Sequence, residues 1–271
     1  MATKISARFE HTKIISGYCQ ICGEFKKLTA DHVPPKGSIV LSAVEQKTIM
    51  EYAGKTKVKG VKGRRGSVFK TICQKCNSYL GVFDMEIKRV SQSVGDKIRL
   101  HFTHAVNPFN YITERINTNH YLRGFIGHML ASTSVKSCLT PLAETEFYQP
   151  LRDFVLGRIN SIDDTHDVYY WFYPNRFNVS GNGFGIGQFG GGDAIIGAAL
   201  YFYPVAIFVG SKGRDNPQLS YRQRLTKDDS KIFVDLSYGI FKQSVFPFMG
   251  LEGASMLLFS DAYITVSYSV G

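Results

Sequence analysis

The chain lacks an N-terminal apolar run and an apolar stretch long enough to cross a bilayer. Charged residues such as Lys4 and Arg8 lie where a secretory signal needs an apolar core. The apolar segment 194–209 contains Pro204 and is shorter than the roughly 18–20 residues that span a membrane, so it predicts two buried strands separated by a turn. We therefore expect a cytoplasmic protein with no membrane partner.

Acidic residues are scarce in the first hundred positions. The whole chain has 32 basic and 22 acidic side chains, and residues 1–100 hold 19 of the basic and 8 of the acidic ones. Segment 55–66 has no acidic residue, which favours contact with a phosphate backbone over a merely solvated loop. Such contacts add affinity for DNA without reading its bases. The predicted nucleic-acid contacts are Lys55, Lys57, Lys59, Lys62, Arg64 and Arg65.

Cysteine is also sparse, but four of the five cysteines form two C-x-x-C pairs. Two such turns can supply the four thiolates of one closed, structural Zn²⁺ site. Four unrelated thiols are the alternative, and the missing secretory signal argues against a disulfide framework. The predicted zinc ligands are Cys19, Cys22, Cys73 and Cys76.

A second metal site is indicated by the run Asp31-His32-Val33-Pro34-Pro35 and by Asn77, which follows the second cysteine pair. A hard ion such as Mg²⁺ or Mn²⁺ takes oxygen ligands, which Asp31 and Asn77 can supply. The His32 imidazole can take a proton from water as a general base. Because Asp31 and His32 are adjacent, both can serve one site only at the end or bend of a strand.

These motifs together resemble the HNH endonuclease family. The resemblance implies a ββα-metal, treble-clef-like core over roughly residues 15–95, with Asp31 and Asn77 as metal ligands and His32 as the base. Two positions depart from the family pattern: Val68 stands near the expected middle asparagine, and Leu80 replaces a frequent lysine. These departures leave open a catalytically inactive, zinc-stabilised DNA-binding or adaptor module.

The segment after Asn77 predicts a helix. Its apolar stripe is predicted to contain Tyr79, Val82, Phe83, Ile87 and Val90. Asp84 is expected to be an exposed helix carboxylate, the alternative being a hydrogen bond to a metal-bound water.

The chain beyond residue 100 is richer in aromatic residues and predicts a second, α+β domain with an antiparallel sheet. Helical periodicity covers residues 119–133 and 143–160, and strand-like composition prevails from residue 167 onward. The glycine-rich segment 181–192 contains the letters of a dinucleotide fingerprint. A strand-like run follows it instead of a helix, which favours a glycine-rich hairpin or loop.

The predicted organisation is an α+β protein with an HNH nuclease domain over 1–100 and a recognition, regulatory or oligomerisation domain over 101–271. The expected activity is metal-dependent hydrolysis of DNA, with double-stranded DNA favoured. A nuclease that stays silent until a partner protein, a signal ligand or a second copy engages residues 101–271 is a further alternative. This architecture also resembles effectors of bacterial anti-phage defence.

Overall fold

The structure is a computed structural model that describes most of the chain. It describes residues 14–49, 51, 60–104, 109–188, 195–213, 219, 222–237, 256–258 and 264–270. Three α-helices and several antiparallel sheets occur within these ranges. The predicted α+β class is therefore confirmed.

The first part of the chain forms a small antiparallel sheet followed directly by a long helix. Strands β1 (Ser16–Tyr18), β2 (Phe25–His32) and β5 (Val68–Cys73) pair in the order β1-β2-β5. Helix α1 (Gln74–Thr103) begins at the residue after β5. The two C-x-x-C pairs thus lie at one end of this unit, one before β2 and the other across the β5–α1 junction.

Helix α1 is amphipathic, and its buried side chains recur every three or four residues along one face. They are Cys76, Leu80, Phe83, Ile87, Val90, Ser91, Val94 and Ile98. The predicted stripe was wrong at Tyr79 and Val82, which are 36% and 54% exposed. Leu80 lies in the stripe instead.

Helix α2 (Thr118–Ala131) packs unusually closely against α1 through two glycines. A Cβ atom on Gly124 would lie 2.6 Å from Cδ1 of Ile87, and one on Gly127 would lie 2.2 Å from Cδ2 of Leu80. A larger residue at either glycine would push against these core side chains. The close approach of the two helices brings His128, the residue after Gly127, next to α1.

Shorter helical elements follow α2. A 3₁₀ helix covers Val135–Cys138, and α3 covers Tyr148–Val155. The helix predicted over 143–160 is thus shorter than expected, whereas the one predicted over 119–133 corresponds to α2.

Most of the remaining described chain forms a nine-stranded antiparallel sheet. Its strands are β3 (Val44–Thr48), β4 (Val61–Gly63), β7 (His166–Phe172), β8 (Asn178–Gln188), β9 (Ile195–Phe202), β10 (Val205–Ser211), β11 (Gln223–Arg224), β13 (Met256–Leu258) and β14 (Ile264–Ser269). The order is β11-β7-β10-β9-β8-β14-β3-β4, and β13 also pairs with β8. A separate two-stranded sheet joins β6 (Tyr111–Arg115) to β12 (Lys231–Asp235).

Several local predictions are confirmed by this sheet. The described residues of the apolar segment 194–209 form β9 and most of β10, joined by a turn at Tyr203 and Pro204. Glycine-rich residues 181–188 belong to β8, which pairs with β9; residues 189–194 lie outside the described ranges. No described helix is long and apolar enough to cross a membrane.

The main hydrophobic core contains side chains from both sides of position 100. It includes Ile72 of β5, Leu80 of α1, Phe125 of α2 and Val205 of β10. In addition, β3 pairs with β14, so strands from the two ends of the chain share one sheet. The boundary predicted near residue 100 stays a prediction.

Candidate metal centre and active site

The four cysteines of the C-x-x-C pairs come together where β1, β2, β5 and α1 meet. Their Sγ atoms all lie within 4.8 Å of one another, and those of Cys22 and Cys73 are 3.9 Å apart. Four sulfurs bound tetrahedrally to Zn²⁺ at about 2.3 Å would be about 3.8 Å apart. The spacing and the donor type both fit zinc, so these four residues can hold a structural ion.

Thiolate is the form of cysteine that binds zinc. The hydrogen bond between Cys19 and Cys76, together with burial, raises the pKa of Cys76, and burial raises the pKa of Cys22 to about 11. At Cys19 the same hydrogen bond outweighs burial and, with help from backbone N–H groups, lowers the pKa to about 5. One of these groups is the N–H of Cys73, 3.3 Å from Cys19 Sγ. The fifth cysteine, Cys138, is buried outside the four-cysteine group.

Asp31 lies near the end of β2 and is joined to a histidine from α2. The Nδ1 atom of His128 is 2.9 Å from Oδ2 of Asp31, and its Nε2 atom is 2.8 Å from Oδ1 of Asp84. Imidazole donates from both nitrogens only when it is protonated, so this geometry fits an imidazolium between two carboxylates. We call this arrangement the Asp31–His128–Asp84 bridge.

The electrostatics of the bridge agree with its geometry. His128 is fully buried, which disfavours its charged form. The charges and hydrogen bonds of Asp31 and Asp84 outweigh this effect and raise the pKa of His128 to about 10. The expectation that Asp84 is a merely exposed carboxylate was therefore wrong, because α2 approaches α1 closely enough for His128 to reach it.

Asn77 lies in the first turn of α1, where its side-chain amide is held by two hydrogen bonds. Its Nδ2 atom donates to the carbonyl of Ala30 at 2.9 Å and to Oγ1 of Thr29 at 3.1 Å. Thr29 Oγ1 itself donates to the carbonyl of Ile72, so it is free to accept from Asn77. Because both amide hydrogens are used, Oδ1 of Asn77 is the atom left to accept a hydrogen bond or bind a cation.

His32 is the last residue of β2 and is half-buried. Its Cα atom is paired across the sheet with that of Val68, so the position predicted for the middle asparagine holds an apolar side chain. Asp31 and His32 follow each other in regular pairing with β5, and their side chains therefore leave the strand on opposite sides. Strand β2 ends at His32, so a common site for the two side chains would have to lie at this end of the strand.

The basic segment is described only in part. Lys62 lies in β4, and Arg64 and Arg65 are exposed in the connection between β4 and β5. Lys55, Lys57 and Lys59 lie outside the described residues. A Cβ atom on Gly66, the residue after Arg65, would be 3.9 Å from Cδ2 of His32. The two arginines are thus close in sequence to the residue that borders the predicted base.

His128 is the site residue that sequence reasoning missed. It lies within the helix predicted over residues 119–133, and nothing in its local sequence indicates a partner almost a hundred residues away. The available signal was a histidine on an otherwise apolar face, one and four residues after the two glycines that permit close helix packing.

Comparisons with known proteins add no assignment to this geometry. No family model, curated protein or solved structure matched the chain.

Proposed function

We propose that the protein is a metal-dependent endonuclease of the HNH type that hydrolyses phosphodiester bonds in DNA. The observation that carries the proposal is the position of Asn77: a residue in the first turn of α1 is hydrogen-bonded to the backbone of β2, one residue before Asp31. The predicted base, His32, follows Asp31 directly. This hydrogen bond supports the proposal because it holds the start of α1 beside the end of β2, where Asp31 and His32 follow Ala30 in the chain.

The oxygens of Asp31 and Asn77 would hold the catalytic ion. Asn77 presents Oδ1 because its Nδ2 atom is occupied, and Asp31 has a second oxygen besides the Oδ2 that accepts from His128. These are the hard ligands that Mg²⁺ and Mn²⁺ prefer. The chemistry supplied by such an ion is stabilisation of negative charge on the phosphate and on the leaving oxygen.

His32 would act as the general base. In the proposed mechanism it takes a proton from a water molecule, and the resulting hydroxide attacks the phosphorus. Val68 cannot orient the imidazole through a side-chain hydrogen bond, so the backbone and the other neighbours of His32 must hold the ring.

The Asp31–His128–Asp84 bridge would position the metal ligand. His128 touches neither the water nor the phosphate in this mechanism, since its ring is buried between two carboxylates. Its hydrogen bond fixes the plane and direction of the Asp31 carboxylate, in the way that outer-shell partners commonly orient metal ligands. It is a positioning residue supplied by the part of the chain beyond residue 100.

DNA is the proposed substrate because of the positive charge near the site. Lys62, Arg64 and Arg65 lie in or beside the connection that leads to Gly66, next to His32. Lysine and arginine bind phosphate oxygens without selecting bases. We therefore expect tight, salt-sensitive binding with little sequence preference.

A zinc-stabilised DNA-binding module without catalysis is the second candidate. It is favoured by Val68 opposite His32 and by the engagement of Asp31 with a protonated His128, which reduces the negative charge offered to a metal. This candidate shares the cysteine cluster and the basic segment with the nuclease. The two differ in whether DNA is cut.

Cleavage of supercoiled plasmid tests the proposal. Nicking is expected with Mg²⁺ or Mn²⁺ and not without added metal, and Asn77→Ala should abolish it while zinc content is unchanged. Ser78→Ala, a change at the exposed neighbour, is the matched control and should cut normally. DNA binding without any metal-dependent nicking by the intact protein would favour the binding module or the nuclease that stays silent until a partner engages residues 101–271.

A further inference from the structure

A cleft is lined by Gly66, the glycine next to the predicted base His32. It has a volume of about 870 Å³, within the range of about 300–1,000 Å³ typical of ligand sites. Its walls are the middle of α1, segment 37–44, loop 174–178 and the end of β14. We call it the α1 cleft.

The α1 cleft reaches the predicted base through Gly66. This glycine lines the cleft, has a φ of +73°, and donates its N–H to the carbonyl of Ser42 at 2.9 Å. A Cβ atom there would lie 3.9 Å from the His32 ring and 3.2 Å from Leu41. Gly66 thus lines the cleft and is also a neighbour of the His32 ring, so a strand with its phosphate at His32 could extend toward the cleft.

The lining of the cleft combines an aromatic ring, cations and hydrogen-bonding groups. Tyr203 is 41% exposed, and Arg99 and Arg176 are exposed. Arg99 is ion-paired with Asp96 at 3.1 Å on the same wall, which leaves Arg176 to add positive charge. Exposed aromatic rings stack on bases, and arginine binds phosphates.

Two further polar groups in the cleft are not hydrogen-bonded within the described part of the chain. They are Oγ of Ser38 and Nδ2 of Asn175, both shielded from solvent. Unsatisfied buried polar atoms are costly, so a ligand that turned these side chains toward itself would recover their hydrogen bonds. Hydroxyl and amide groups suit the sugar and the base edge of a nucleotide.

We propose that the α1 cleft binds an unpaired nucleotide of the substrate strand, next to the phosphate at His32. This inference rests on the proposed function and narrows its substrate class. A volume of about 870 Å³ is large enough for a single nucleotide. A base can lie against Tyr203 only after it has left its stack, and unpaired bases do so at the lowest cost.

The test measures DNA binding without cleavage. Fluorescence anisotropy is recorded in the His32→Ala background, without added Mg²⁺ or Mn²⁺, on a blunt duplex and on the same duplex with a single-stranded tail. Tyr203→Leu should weaken binding of the tailed duplex about fivefold or more and leave the blunt duplex unchanged. Tyr111→Leu is the matched control, because Tyr111 is 42% exposed and lies outside the cleft on β6.

A second pair of variants tests the charged wall. Arg176→Ala should weaken binding of the tailed duplex, whereas Arg115→Ala should not. Both arginines are exposed, but only Arg176 lines the cleft. Thermal unfolding of each variant confirms that it is folded.

Three results would overturn the inference. The first is that the Tyr203 and Tyr111 variants bind the tailed duplex with equal affinity. The second is that Tyr203→Leu loses the same affinity for the blunt duplex as for the tailed one. The third is that a free mononucleotide displaces the tailed duplex at the same concentration as an unlabelled tailed duplex does. Plasmid nicking by the intact protein is scored separately. If the intact protein does not nick DNA but Tyr203→Leu weakens binding of the tailed duplex, the nuclease proposal is rejected and the cleft proposal is retained. If the intact protein nicks DNA but Tyr203→Leu has no effect on binding, only the cleft proposal is rejected.

Discussion

At the scale of single residues, the four cysteines hold together the small unit formed by the β1–β2–β5 sheet and the start of α1. The sheet has three strands, and β1 has only three residues. Small units of this kind commonly gain stability from a structural metal. Zinc would join the start of β2 to the start of α1 and so fix the position of Asn77 relative to Ala30.

Replacing one ligand should therefore remove both zinc and stability. Cys76→Ser is expected to lose the bound equivalent of zinc and to lower the melting temperature, because three thiolates and a hydroxyl bind Zn²⁺ less tightly. Zinc analysis and thermal unfolding measure the two effects. Cys138→Ser is the control, since this buried cysteine lies outside the cluster and should keep the zinc. Full zinc content in Cys76→Ser would contradict the assignment.

Two residues show why local sequence predicted part of the site and not the rest. The cysteine pairs are predictable because their spacing alone determines the donor set. Leu80 was treated as a departure from the family's lysine, but its side chain is buried against Gly127, so helix packing accounts for the leucine. His128 was missed because its role depends on that same packing, which joins residues distant in the sequence.

At the scale of elements, α1 is held to its neighbours by two ionic networks, each centred on a buried side chain. One is the Asp31–His128–Asp84 bridge to β2 and α2. The other is centred on Glu114 of β6, whose carboxylate accepts from Arg89 and Lys97 at 2.7 Å each and from Ser93. The Asp31–His128–Asp84 bridge borders the candidate site, whereas the Glu114 network contacts a different strand. A variant of one network therefore serves as a control for a variant of the other.

His128→Asn should raise the Mg²⁺ concentration that nicking requires, which a variant of the Glu114 network should not do. Without the bridge, Asp31 is no longer oriented, and the Mg²⁺ concentration for half-maximal nicking should rise about tenfold or more. Glu114→Gln also breaks an ionic network but should leave that concentration unchanged. Metal titrations of nicking rate, with thermal unfolding of both variants, measure the difference. Equal metal dependence in the two variants would assign the bridge a structural role only.

Glu114 also predicts an acid-dependent loss of stability. Burial raises its pKa, but the hydrogen bonds from Lys97, Ser93 and Arg89 outweigh this and hold the pKa below its usual value. A carboxylate with a lowered pKa stabilises the fold at neutral pH, and the contribution disappears as the pH falls through the lowered value. Glu114→Gln should cost about 2 kcal/mol at pH 7.

Urea unfolding at several pH values checks this prediction. The difference in free energy of unfolding between the intact protein and Glu114→Gln should shrink steadily below pH about 4, near the ordinary glutamate pKa. A difference that stayed constant from neutral to acid pH would show that the carboxylate charge is not what stabilises the β6–α1 contact.

At the scale of the whole molecule, the sheet order could not be predicted from the sequence. Pairing of β3 with β14 joins Thr48 to Thr265, more than two hundred residues apart, and neither strand indicates its partner. The strands themselves were predictable because β-branched and aromatic residues are concentrated in β7, β10 and β12. Local composition thus predicted most elements, while long-range pairing and the α1–α2 contact required the structure.

The charge distribution belongs to this scale as well. Lys62→Glu, Arg64→Glu and Arg65→Glu together should weaken DNA binding and reduce its dependence on salt. If each side chain contacts one phosphate, the slope of log K against log salt should decrease by about 2 to 3. Anisotropy titrations at several salt concentrations measure it. Reversing exposed Arg115, Lys227 and Lys231 instead is the control, and equal effects from the two triple variants would remove segment 62–65 from the DNA surface.

The most direct test of the nuclease assignment is the single-turnover rate of DNA cleavage by His32→Ala with saturating Mg²⁺ or Mn²⁺, compared with the intact protein and with His120→Ala. His120 is an exposed histidine on α2 and serves as the matched control. Loss of a general base typically costs about 10²–10⁴-fold, so His32→Ala should be slower by that factor while His120→Ala is unchanged. Equal cleavage rates for all three proteins would contradict the role of His32 and the active site built around it.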